Sequence, residues 1–210
     1  MRIRHIYFYL AFTLILQGCS GEWPPYYGRL SENYNKNKAA FERLNQKMRE
    51  SEYTSVARYS QRDGSHIISG ITARRPPAAE IKDDGEWRHL FDQTKLSAIE
   101  INSGEFEFHP YSEVIVDEKK YKVNYVRVES GLRKDCQPSH AKISCGKCYA
   151  PLDEVWGIKY FWTDLKIFRR VNKRIEAGEL SWLEKQTIVD EEVRRCRTKG
   201  YAEIGYVYEP

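Results

Sequence analysis

Hydrophobic positions recur along this chain with two alternating periods. In residues 31–50, Tyr34, Phe41, Leu44 and Met48 fall at helical spacing, with Lys, Arg and Glu opposite, and Ser31 can cap such a helix. Residues 53–60 and 65–74 read as strands around Gln61-Arg62-Asp63-Gly64, where Asp-Gly favours a hairpin because glycine tolerates positive φ. Pro76-Pro77 is expected to end the second strand. Residues 84–95 predict a short helix with Trp87, Leu90 and Phe91 on one face. Alternation returns at 96–102 and, after Ser103-Gly104, at Glu105-Phe106-Glu107-Phe108; Val114-Ile115-Val116 and residues 121–128 predict another hairpin around 117–120.

The segment 131–151 carries Gly131, Pro138, Gly146 and Pro151 and reads as a loop, while 152–162 fits either a strand or a helix start. Thr163 or Asp164 can cap a helix over 164–177 whose core face is Leu165, Phe168, Val171 or Asn172, and Ile175, and Gly178 stops it. Ser181 and Glu184 form a capping box for a helix over 182–198, with Trp182, Val189, Val193 and Cys196 on one face. Gly200 is expected to end that helix, and 201–208 to form a last strand. The fold class this predicts is α+β: an antiparallel sheet of about five or six strands, packed by N-terminal and C-terminal helices.

Composition narrows the picture. The 210 residues allow one domain or two small ones, and 41% hydrophobic with 13% aromatic residues is enough for a packed core. The formal net charge of +4 comes from 34 Lys+Arg against 30 Asp+Glu spread along the chain, which does not suggest a nucleic-acid binder. No apolar run reaches the length of a membrane span.

The N-terminus has the layout of an export signal. Arg2, Arg4 and His5 precede an apolar stretch over 6–16, and Leu16-Gln17-Gly18-Cys19 closes it. These four residues resemble the lipobox of bacterial lipoproteins, although Gln17 stands where a small or β-branched residue is commoner. The resemblance covers residues 1–19 only. It implies a diacylglycerol on the Cys19 thiol, cleavage before Cys19, and an acylated new amine. Two or three acyl chains hold firmly where one holds weakly. By the same resemblance, Ser20 favours the outer membrane, facing the periplasm. Residues 1–18 are then a signal peptide, 19–30 a lipidated tether containing Pro24-Pro25 and Gly28, and 31–210 a single domain.

With Cys19 assigned to lipid, Cys136, Cys145, Cys148 and Cys196 remain, and an even number in an exported protein predicts two disulfides. If 164–177 and 182–198 form an antiparallel pair, Cys196 returns beside the start of the first helix. One of Cys145 and Cys148 then pairs with Cys196 and the other with Cys136. Two sharper readings compete: a redox dithiol at Cys145-Gly146-Lys147-Cys148, and a Cys₄ zinc site that would lack a second knuckle.

Little else in the sequence suggests chemistry. His66, His89, His109 and His140 are scattered, and G-x-S-x-G, P-loop and G-x-G-x-x-G patterns do not occur. Lys166, Arg169, Arg170, Lys173 and Arg174 make one helix strongly basic. Cations near a helix C-terminus are explained by the helix dipole; the sharper reading is a surface for anionic lipid or an acidic protein. The expectation is a non-catalytic, membrane-anchored envelope lipoprotein that binds an envelope or toxin protein, such as an immunity or inhibitor lipoprotein, with no cofactor, metal or small-molecule substrate. The alternatives are an accessory of an envelope machine and a thiol–disulfide oxidoreductase using Cys145 and Cys148.

Overall fold

A computed structural model of the chain describes residues 23–60, 65–72, 75–82, 84–102, 105–110, 114–127 and 135–204. Leu16, Gln17, Gly18 and Cys19 lie outside the described residues, as do the turns at 61–64 and 103–104 and residues 205–208 of the expected last strand.

The fold is α+β, with four α-helices and a nine-stranded antiparallel sheet among the described residues. In chain order these are α1 (Tyr27–Glu50), β1 (Tyr53–Ser60), β2 (His66–Thr72), β3 (Arg75–Glu80), α2 (Gly85–Thr94), β4 (Leu96–Asn102), β5 (Glu105–Pro110), β6 (Val114–Val116) and β7 (Lys119–Arg127). A 3₁₀ turn at Pro138–Lys142, β8 (Cys145–Pro151), β9 (Trp156–Asp164), α3 (Leu165–Glu176) and α4 (Trp182–Ile204) follow. The strand order is β3-β2-β1-β4-β5-β7-β9-β8, with β6 paired to β7.

Register explains where the core sits. Val56, Ile99, Phe108, Tyr125, Ile158 and Ala150 are successive partners across six strands and therefore share one face. α1 packs onto that face. The Phe41 ring lies 4.7 Å from Tyr125 and 5.7 Å from Trp156 by ring centroids, and Tyr34, Leu44 and Met48 are buried beside it. α2 adds Trp87, Leu90 and Phe91 to the same core. On the second face, Val126 and Tyr149 form a small buried apolar cluster, and Cys145 of β8, Ile167 and Val171 of α3 and Val189 and Tyr201 of α4 are buried as well. Here α4 lies over β8 and β9, and α3 packs on α4.

Several elements differ from expectation. α1 starts at Tyr27, inside the stretch expected to be a tether; Leu30 N donates to Tyr26 O in its first turn. Trp23 is half-buried and Pro24 and Pro25 are buried. Trp23 packs edge-on against Trp162 and Tyr121 at 5.6 and 5.9 Å. Ser31 does not cap the helix; its hydroxyl donates to Gly28 O within it. Pro76 and Pro77 do not end the sheet but lie in β3, its edge strand, at the irregularity where the register shifts between Gly70 and Thr72, the setting in which a strand tolerates proline. The cysteine segment read as a loop contains β8, and the ambiguous 152–162 contains β9, so the sheet is larger than five or six strands. Residues 201–204 continue α4 rather than beginning a strand. Gly200 lies within the helix, and a Cβ there would sit 1.6 Å from the Cys145 carbonyl oxygen, which explains the glycine. It permits close packing of α4 on β8; it does not stop the helix.

Candidate functional site

Among the described residues, the buried charged pair Glu107 and Lys159 lies on the second face of the sheet. Alternation in β5, β7 and β9 sends Phe106, Phe108, Val123, Tyr125, Ile158 and Tyr160 into the core, so Glu105, Glu107, His109, Lys122, Asn124 and Lys159 point the other way. Asn124 and Lys159 are cross-strand partners, and Lys159 is in turn opposite Tyr149 of β8. Glu107 is only 1% exposed. Its carboxylate accepts from Lys159 Nζ at 2.7 Å, Asn124 Nδ2 at 2.7 Å and Asn102 Nδ2 at 3.4 Å. Lys159 Nζ also donates to Glu105 at 3.0 Å and lies over the Phe161 ring at 5.0 Å and the Tyr149 ring at 5.9 Å.

Electrostatics fix these charges. Burial alone would lower the Lys159 ammonium, but its hydrogen bond to Glu107 and that carboxylate's charge outweigh burial and hold it above the ordinary lysine range. A lysine held this way remains a cation at neutral pH. At the border of the cluster, His109 Nε2 lies 3.4 Å from the Glu100 carboxylate. Burial and then the Lys122 charge push the imidazole below its ordinary value, so it is neutral near pH 7. The cluster is an ion pair with its valences filled, flanked by a neutral histidine. It can fix a polar surface in place. Among the described residues no group of three His, Cys, Asp or Glu side chains is placed to hold a metal ion.

The candidate cysteines are joined in two disulfides, Cys136–Cys148 and Cys145–Cys196. The reason is the strand. Positions three apart in β8 point to opposite faces, so Cys148 enters the core and Cys145 turns to α4. The two cannot form one dithiol in this arrangement, and no sulfur of the four remains for a zinc site.

The candidate cations lie on α3, whose N-terminus Asp164 caps by accepting from Lys166 N at 2.8 Å. Val171 is buried and Asn172 is exposed, which settles that alternative, but Leu165, Phe168 and Ile175 are only half-buried and Ile167, outside the expected core face, is buried. Lys166, Arg169, Arg170, Lys173 and Arg174 follow the i, i+3, i+4, i+7, i+8 spacing of a single face that borders the buried Ile167 and Val171, with Arg174 half-exposed at that border. Arg169 pairs with Glu118 at 2.7 Å, Arg170 with Glu192 at 3.4 Å and Arg174 with Glu179 at 3.5 Å, while Lys166 and Lys173 are exposed. The five cations and Glu179 line one open groove.

The sequence drew attention to α3 and the cysteines and counted His109 among scattered histidines, but it missed Glu107, Asn124 and Lys159. Their signal was present, since Glu105-Phe106-Glu107-Phe108 alternates. What the sequence lacks is the register that sets Lys159 beside Glu107. Comparison with family models, with curated proteins and with solved structures found no match to this chain.

Proposed function

We propose that this chain is a lipid-anchored envelope protein without catalytic activity, held at the membrane through Cys19, that binds another protein on the second face of its sheet. The observation that carries this reading is the asymmetry of the sheet. One face is covered by α1 and α2. On the other, α3 and α4 pack over β8 and β9, which leaves β1, β2 and β4 without a packed helix among the described residues.

That uncovered part pairs Tyr59 with Ile67, Ser55 with Ile71 and Ala57 with both Ser69 and Ala98, and Glu100 lies beyond it. Tyr59 is 48% exposed. Around the exposed Tyr59, Ser69 is buried and Ser55, Ala57, Ile67, Ile71 and Ala98 are half-buried, a low surface that can be desolvated, and tyrosine offers large area with a polar tip at low entropic cost. The neighbouring Glu107–Lys159 network supports a binding reading over a catalytic one, because its charges are already committed to each other. Two disulfides and a continuous aromatic core favour a preorganised surface, which lowers the ordering cost of binding. Anchoring would add to this by raising the effective concentration for partners in the same envelope.

A photo-crosslinking side chain at position 59, compared with one at position 38 on α1, tests the binding face in intact envelopes. The proposal predicts one discrete adduct from position 59 and none from position 38. Equal adducts from both positions, or none from position 59, would contradict it.

A further inference from the structure

We infer that the basic face of α3 docks on anionic phospholipid headgroups, so that the anchored domain stands on its membrane in one fixed orientation. This rests on the lipid-anchor reading of Cys19 and adds to it a second, electrostatic contact. The argument comes from where the chain enters the fold. Trp23 lies against Tyr121 and Trp162, near the start of β7 and the end of β9. Three residues separate it from Cys19. Four residues of extended chain at about 3.6 Å each hold the Trp23 backbone, which packs its ring on that end of the sheet, within about 14 Å of the lipid-bearing residue.

α3 leaves from the same end. It follows β9 without a gap, and Leu165 N donates to Glu118 O in the β6–β7 turn at 2.8 Å. Lys120, beside that turn, lies over the Phe168 ring at 5.5 Å, and Lys119 donates to the Ala141 carbonyl. The anchor and the basic helix therefore converge on one end of the molecule. The apolar side of α3 is turned inward, with Ile167 and Val171 buried. Contact with lipid is then electrostatic and excludes insertion of the helix. Glu118, Glu179 and Glu192 pair with three of the arginines, but those arginine side chains are 42–63% exposed. Exposed ion pairs of this kind are weak and can give way to phosphate. Lys166 and Lys173 are exposed on the same face. One cation brought to an anionic surface improves partitioning about fivefold, and the effect falls away within a Debye length of about 10 Å, comparable to the reach the tether allows.

The test uses the whole mature protein, reconstituted through its own anchor into vesicles of phosphatidylcholine with or without phosphatidylglycerol. Lysine acetylation is followed by mass spectrometry, with Lys38 as the internal control, since it lies at the opposite end beside Asp153. The inference predicts acetylation of Lys166 and Lys173 at least about fivefold slower on the anionic vesicles, with Lys38 unchanged. Molar salt, or the double change Arg169→Glu with Arg170→Glu, should abolish the difference. Equal rates on both vesicles, from protein whose intact mass carries the acyl chains, would overturn docking and leave the anchor standing. Protein without acyl chains would overturn both. Protection in native envelopes but on neither vesicle would overturn docking on lipid and assign the face to an acidic protein.

Discussion

Glu107 and Lys159 bury a full charge pair in the second face of the sheet, and the balance between desolvation and attraction is set by their hydrogen bonds. Removing either partner leaves the other uncompensated, which costs about 3–5 kcal/mol for buried pairs. The two sides are not equivalent. Lys159 in Glu107→Gln keeps Glu105 at 3.0 Å, whereas Glu107 in Lys159→Met keeps only amide donors. We therefore expect Glu107→Gln to cost about 3 kcal/mol and Lys159→Met nearer 5, read from urea unfolding. The opposite order would contradict this geometry. Asp153 makes a second prediction. Burial alone would raise its carboxyl, but hydrogen bonds from Lys38 and Tyr34, with the Val155 and Trp156 N–H groups, hold it well below the ordinary carboxylate range. A depressed carboxyl contributes stability above its unfolded pKa of about 3.9, and that contribution is lost as pH falls below it. Asp153→Asn should lower stability at pH 7 and flatten the acid limb below about pH 4. An unchanged limb in a pH series of thermal melts would count against the role of Asp153.

At the scale of elements, close approach and strand geometry decide what propensity alone does not. Ala at position 200 would gain up to about 1 kcal/mol of helix propensity, yet its Cβ would meet the Cys145 carbonyl at 1.6 Å. Overpacking against backbone outweighs the gain, and we expect Gly200→Ala to destabilise by about 2 kcal/mol or more. A stabilised variant would show that α4 does not lie this close to β8. The Cys145–Cys196 bridge closes a separation of 51 residues, against 12 for Cys136–Cys148. Loop entropy then assigns about 4 kcal/mol to the first and about 3 to the second as upper figures. Replacing Cys145 and Cys196 together by Ser should speed amide exchange in α4 and leave α1 protected. Uniform loss of protection would mean that α4 and α1 open as one unit.

The elements that the sequence made legible are those whose pattern is local. The amphipathic α1 face, the β4 alternation and the Ser181–Glu184 box are examples, and the box is present, with Ser181 N donating to Glu184 at 2.9 Å. Those that escaped depend on tertiary context. Pro76 and Pro77 read as breakers because nothing local says β3 is an edge strand. Cys145-Gly146-Lys147-Cys148 read as a loop because its neighbours β9 and α4 supply the reason for a strand. Gly200 read as a stop because the carbonyl that requires it lies 55 positions upstream.

For the whole molecule, the same distinction separates anchor from surface. The basic stripe of α3 follows from spacing alone. The polar cluster around Glu107 requires three strands to be set in register, and the uncovered face of β1, β2 and β4 is defined by where helices pack. On the proposed reading, a domain whose second sheet face is uncovered over β1, β2 and β4 suits recognition in two dimensions, and the anchoring half of that proposal depends on the chemistry of Cys19. Metabolic labelling with palmitate, in cells making the natural chain or its Cys19→Ala form, tests it most directly. We predict label on the natural chain in the membrane fraction, and none on Cys19→Ala. A natural chain that fractionates with membranes without label, or a Cys19→Ala form that retains it, would contradict the account.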